Sequence, residues 1–156
     1  MRAIITNNEK ETKCLAAGIA QYLKKGDIVA LIGNLGSGKT TFTKGLAEGL
    51  DVKDPEHVNS PSFVLIKEYK GRIGMYHFDL YRLDNICDIE YIGIQDYLDN
   101  DGVVVIEWAD KIRKFLTQDY LQVEIGIIDA CRREIMIKGH GKRYDNIINR
   151  YVKPQV

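Results

Sequence analysis

Eight consecutive residues, Gly33-Asn34-Leu35-Gly36-Ser37-Gly38-Lys39-Thr40, follow the spacing G-x-x-x-x-G-K-T. Each fixed type has a chemical use. The glycines reach backbone angles closed to other residues and let the main chain approach a bulky anion. The N–H groups they expose form a nest for phosphate oxygens at the start of a helix. The lysine sets a positive charge against β- and γ-phosphates, and the threonine hydroxyl is a ligand for magnesium. Such a loop needs a strand before it and a helix after it. Residues 27–32 (DIVALI) are a nearly continuous apolar run between glycines, the pattern of a strand buried on both faces. Residues 39–50 place Phe42, Leu46 and Leu50 along one helical stripe. The segment therefore predicts a nucleoside triphosphate site.

A nucleotide-bound magnesium ion also calls for a carboxylate on a strand beside the phosphate loop. Two acids end apolar runs: Glu107 follows VVVI at 103–106, and Asp79 follows MYHF at 75–78. Both would lie at the carboxyl edge of the sheet, where open α/β folds bind ligands; spacing alone does not choose between them. Ser60-Pro61-Ser62 puts two hydroxyls in a loop after the phosphate-loop helix, where a segment can order around a γ-phosphate. His77 shares a strand face with Asp79, which admits a metal site, but it reads more readily as a satisfied structural histidine. Arg132-Arg133, at a strand start, could close on nucleotide, and Trp108 is the single tryptophan.

The elements that must position these groups alternate between types. A short strand at 2–6 precedes a helix at 8–25, in which Asn8 and Glu11 have capping-box spacing. Strands at 62–69 and 72–78, joined by Lys70-Gly71, predict an antiparallel hairpin. Helices are expected at 86–98 and 111–116. Late strands are expected at 121–128 and 134–138, before a C-terminal helix with Tyr144, Ile147, Ile148 and Tyr151 on one face. This predicts an α/β fold, the three-layer sandwich of P-loop NTPases, with a mixed sheet whose centre is parallel.

The 156 residues fit one domain. With 22 basic and 22 acidic residues, net charge gives no general attraction to nucleic acid or anionic membrane. Three widely spaced cysteines suggest neither a disulfide framework nor a metal clip. A polar first segment and the absence of a long apolar run lead us to expect a cytoplasmic protein with no membrane span.

Taken in order, four blocks resemble the bacterial TsaE (YjeE) family of ATPases of tRNA threonylcarbamoyladenosine biosynthesis: 33–46 (GNLGSGKTTFTKGL), 59–69 (NSPSFVLIKEY), 76–83 (YHFDLYRL) and 103–108 (VVVIEW). The resemblance covers nearly the whole chain, with weaker matches at Glu11-Thr12, at Arg133-Glu134-Ile135 and at 141–144. It implies a slow Mg-dependent ATPase that works with the TsaD and TsaB proteins, meets tRNA only through that complex, and does not itself transfer the threonylcarbamoyl group. It implies ATP-binding roles for Gly36, Ser37, Gly38, Lys39, Thr40, Thr41, Thr12 and Arg133. Thr40 and Glu107 would hold magnesium, and Lys39, Asp79 and Glu107 would be the catalytic set. Ser60, Ser62, Asp79 and Arg82 would form switch-like segments. The chain departs from the family pattern at Ser62, usually threonine, at Asn34, commonly aspartate, and at Ala109, where many members have proline. A P-loop small-molecule kinase would need an arginine-rich lid, and a GTPase would need Asn-Lys-x-Asp; the sequence has neither.

Overall fold

A computed structural model describes residues 1–61, 65–85, 88, 93–98 and 101–151. Among the described residues, seven strands, β1 (Arg2–Thr6), β2 (Ile28–Ile32), β3 (Ile66–Tyr69), β4 (Met75–Asp79), β5 (Val103–Glu107), β6 (Tyr120–Ile127) and β7 (Arg133–His140), form one sheet in the order β1-β7-β6-β2-β5-β4-β3. β2 runs parallel to β5 and β6, and β4 runs parallel to β5. The outer pairs β1–β7, β6–β7 and β3–β4 are antiparallel. The expected parallel centre with antiparallel flanks is therefore the architecture observed. β2 and β5 carry apolar side chains on both faces because helices cover both faces of the central strands.

One face is covered by α1 (Glu9–Ala20), α2 (Lys39–Gly49) and the C-terminal helix α4 (Lys142–Tyr151). The other is covered in part by α3 (Ile94–Leu98) with Ala109, Ile112, Phe115 and Leu116. α1 and α2 approach closely because glycine lies at the contact. A Cβ on Gly45 would stand 2.7 Å from Ala16 Cβ, and Gly49 meets Ala17 and Ala20 in the same way.

Several expected boundaries move. The first helix ends at Ala20 rather than at residue 25, and its Gln21 cap N–H bonds the carbonyl of Ile19. Its start is as read: Asn8 caps Glu11 N–H, and Glu11 returns a bond to Asn7 N–H. The β3–β4 connection is longer than Lys70-Gly71, running to Gly74, since Arg72 leaves the ladder and sends its N–H to the carbonyl of Leu50. In place of a helix at 111–116, a 3-10 turn spans Ala109–Ile112. Of the helix expected at 86–98, Ile94–Leu98 is helical, and most of the remainder lies outside the described residues.

At the end of β2 remote from the glycine-rich loop, a buried polar knot fixes α4. Tyr144 Oη accepts the N–H of Ile28 (2.9 Å) and donates to Asp27, which also pairs with Arg143 Nε at 2.7 Å. Burial and the Asp27 charge push the Tyr144 phenol well above its ordinary range.

Candidate functional site

The loop between β2 and α2 takes the form its glycines permit. Gly38, at φ +107°, is the left-handed cap of α2, and no side chain caps the helix. The first bond into the helix runs from Phe42 N–H to Gly38 O (2.9 Å), so the N–H groups of Lys39, Thr40 and Thr41 belong to its unpaired first turn. That turn is a ready anion site.

Beside it, the parallel pairing of β4 with β5 sets Asp79 opposite Glu107 at the carboxyl edge of the sheet. Glu107 is buried, and its carboxylate collects three side chains. Oε2 accepts from Thr40 Oγ1 (3.1 Å), while Oε1 accepts from Thr43 Oγ1 (3.2 Å) and lies 2.8 Å from His77 Nε2. Thr40 Oγ1 also shares a hydrogen bond of 2.8 Å with Ser60 Oγ. Lys39 Nζ donates to the carbonyls of Gly33 (2.7 Å) and Asn34 (2.9 Å) and lies 4.0 Å above the Trp108 ring. Burial lowers the Lys39 ammonium below the ordinary lysine range, against the opposing pull of Glu107, Asp79 and Asp110. Trp108 has left-handed backbone (φ +61°), uncommon for a bulky residue, and its indole packs on Tyr81. Asp79 is partly exposed, and its Oδ1 accepts the N–H of Tyr81 at 3.0 Å.

Two cavities of about 560 Å³ each flank the loop. The first gathers Lys39, Thr40, Ser60, Asp79, Arg82 and Glu107, with Trp108 on its wall. The second, bounded by Asn8, Thr12, Cys131 and Arg133, shares Gly36, Gly38 and Thr41 with the first. The residues singled out from the sequence thus meet around one loop from two sides. Ser62 lies outside the described residues. Ser37 sits in the loop with its hydroxyl buried, and Thr12 is buried against Thr6 Oγ1 (2.8 Å).

Two relations were not foreseen. Arg133 braces the loop from behind, donating from Nε to Ser37 O (2.8 Å). The turn before it is tied by Asp129, whose carboxyl is held down at about 2 by Arg132 N–H and guanidinium and by Cys131 N–H. His77, read as a satisfied structural histidine, is buried and hydrogen-bonded, and the partner the sequence did not identify is Glu107. The signal for that was the shared i, i+2 spacing of His77–Asp79 and Val105–Glu107 on two strands that pair in parallel.

The donor set fits magnesium. A hydroxyl and a carboxylate oxygen stand 3.1 Å apart beside an unpaired helix turn, and magnesium takes few protein oxygens when phosphates supply others.

Comparison with known proteins agrees with this fold. The family model for the threonylcarbamoyl adenosine biosynthesis protein TsaE matches residues 6–135. The tRNA threonylcarbamoyladenosine biosynthesis protein TsaE of Bacillus subtilis (strain 168) is 43% identical over 141 residues, covering 90% of this chain and 87% of that protein. Its namesake in Aquifex aeolicus (strain VF5) is 38% identical over 138 residues, covering 88% and 96%. The crystal structure of YdiB from Bacillus superposes with a TM-score of 0.80 at 37% identity, covering 97% of this chain and 93% of that one.

Proposed function

This chain belongs to the TsaE family of tRNA threonylcarbamoyladenosine biosynthesis, and on that premise we propose that it binds Mg–ATP and hydrolyses it as the ATPase component of the modification machinery. In this reading it acts with TsaD and TsaB in the cytoplasm, reaches tRNA only through them, and leaves the group transfer to them. The observation that carries the proposal is the meeting of Thr40 Oγ1, Glu107 Oε2 and Lys39 at the mouth of the phosphate loop.

The residues divide the work by position. The N–H groups of the loop and of the first turn of α2 bind and orient the phosphates. Lys39, now spent on two loop carbonyls, exchanges these for phosphate oxygens and offsets the charge that develops during hydrolysis. Thr40 and Glu107 hold magnesium, which when bound draws off phosphate charge as a Lewis acid. Trp108 shields the lysine from water. Asp79 has Oδ1 fixed by Tyr81 N–H, which leaves Oδ2 to orient a water or to read the γ-phosphate through the adjoining segment with Arg82. The second cavity, by Thr12 and Arg133, takes the nucleoside. Ser60, bonded to Thr40, links the metal site to the Ser-Pro-Ser segment singled out from the sequence. Nucleotide state then sets partner affinity, because the ordered loops and the loosened ones present different surfaces.

The test is ATP turnover by the purified chain, alone and with TsaD–TsaB, for wild type and Asp79→Ala. Weak turnover alone, stimulation by the partners, and loss of that stimulation in Asp79→Ala with nucleotide affinity kept are the expected results. Full turnover by the isolated chain without stimulation would refute the partner-dependent reading.

A further inference from the structure

The phosphate loop does not use His77, yet His77 is fully buried on the strand face that α2 covers, among Met75, Val103 and Val105. An apolar side chain would fill such a place without the desolvation cost of an imidazole. That cost is only half met here. Nε2 lies 2.8 Å from Glu107 Oε1, and Nδ1 has no partner among the described residues.

This arrangement fixes the tautomer. A carboxylate oxygen only accepts, so a bond at 2.8 Å requires the proton on Nε2; Nδ1 is left as a bare lone pair, which is less costly to bury than a bare N–H. The imidazole therefore donates to Glu107. Its contribution differs in kind from those of the threonines. Thr43 has one hydroxyl proton to divide between Glu107 Oε1 (3.2 Å) and Lys39 O (3.0 Å), and Thr40 engages Ser60 as well as Oε2. Among the described residues, the proton on His77 Nε2 goes to Glu107 alone.

We propose that His77 is a positioning residue for magnesium: by holding Oε1 it fixes the rotation of the Glu107 carboxylate, so that Oε2 stays beside Thr40 and open to the cleft. The metal-binding oxygen would then be oriented across the sheet from β4, not only by the rotamer of Glu107 on β5. Donors behind a ligating group commonly set its orientation and affinity in this way. The inference rests on the proposed magnesium site.

Glutamine and asparagine separate this role from simple packing. Glutamine carries its amide nitrogen where Nε2 lies; asparagine carries the same group where Nδ1 lies and cannot reach Oε1. The measurement is binding of a non-hydrolysable ATP analogue to the full chain across a magnesium titration. It is followed by fluorescence of the single tryptophan, which lines the cleft, and is repeated in EDTA. His77→Gln should keep the wild-type magnesium requirement. His77→Asn should raise the magnesium needed for half-saturation by about 10–100-fold, the usual cost of losing an orienting partner, and leave metal-free binding unchanged. His77→Leu should follow His77→Asn where it folds; the glutamine–asparagine contrast decides without it. Equal magnesium dependence in all variants, or the same loss with and without metal, would overturn the role of His77. A wild-type chain whose analogue binding is indifferent to magnesium would overturn the metal-site reading, and the role of His77 with it.

Discussion

Replacing Glu107 by glutamine should separate the function of the carboxylate from its part in the fold. The glutamine oxygen, placed at the Oε1 position, keeps His77 Nε2 (2.8 Å) and Thr43 Oγ1 (3.2 Å) as donors. The amide nitrogen then faces Thr40 Oγ1 at 3.1 Å, and that hydroxyl can turn to accept it while donating to Ser60. Every side-chain bond survives as a neutral one. Bonds to charged groups contribute about 1.5–3 kcal/mol and neutral ones about 0.5–1.5, so three weakened bonds cost about 3 kcal/mol. Relief from burying a charge offsets much of this. The net effect is within about 1 kcal/mol, or about 2–4 °C in melting temperature for a chain of this size. The metal site fares worse, for its one cleft-facing carboxylate oxygen becomes a donor and the negative charge is gone. The loss should be at least the roughly 10–100-fold that orienting partners alone are worth. Calorimetry of an ATP analogue over a magnesium series, together with a thermal melt, reads both numbers. An unchanged magnesium requirement would refute the ligand assignment. A fall of about 10 °C or more would show that the carboxylate chiefly holds the fold together.

Gly45→Ala should cost about 1–3 kcal/mol by overpacking α1 against α2, seen as a melting temperature lower by about 3–10 °C, because its Cβ meets Ala16 Cβ at 2.7 Å. Tyr144→Phe should cost about 2 kcal/mol by leaving the buried Ile28 N–H unpaired, yet leave nucleotide affinity unchanged, since Ile28 lies at the opposite end of β2 from the loop; chemical denaturation and analogue binding check the two halves. Arg133→Ala removes the brace on Ser37 O together with the guanidinium's bonds to Asp129 O and Arg132 O, and calorimetry should show nucleotide affinity reduced about tenfold, as expected when a bond from a charged donor to the phosphate loop is lost.

Much of the site was legible because its parts are local. The glycine spacing, the buried run before it and the stripe of Phe42, Leu46 and Leu50 behind it each lie within one segment, and the structure keeps them together. Glu107 and Asp79 were legible as strand-end acids because parallel strands finish at the same edge. What stayed hidden was set by neighbours distant in sequence. The bond between His77 and Glu107 depends on the β4–β5 register, and the reach of Arg133 to Ser37 depends on β7 folding back on β6 beside β2. The α1–α2 contact at Gly45 follows from shape, not periodicity. The expected two-residue hairpin failed for a similar reason. Arg72 donates to Gly49 O and to Ala20 O (2.6 Å), and these tertiary bonds draw the segment out of the ladder.

The most direct test of the account is ATP binding by the isolated chain, by calorimetry with magnesium and with EDTA, for wild type and Lys39→Ala. The account predicts magnesium-dependent binding by wild type, and affinity reduced at least about tenfold in a Lys39→Ala protein that still melts cooperatively, since its ammonium is the loop's one side-chain charge for the phosphates. A folded Lys39→Ala chain that binds ATP as wild type does would contradict it.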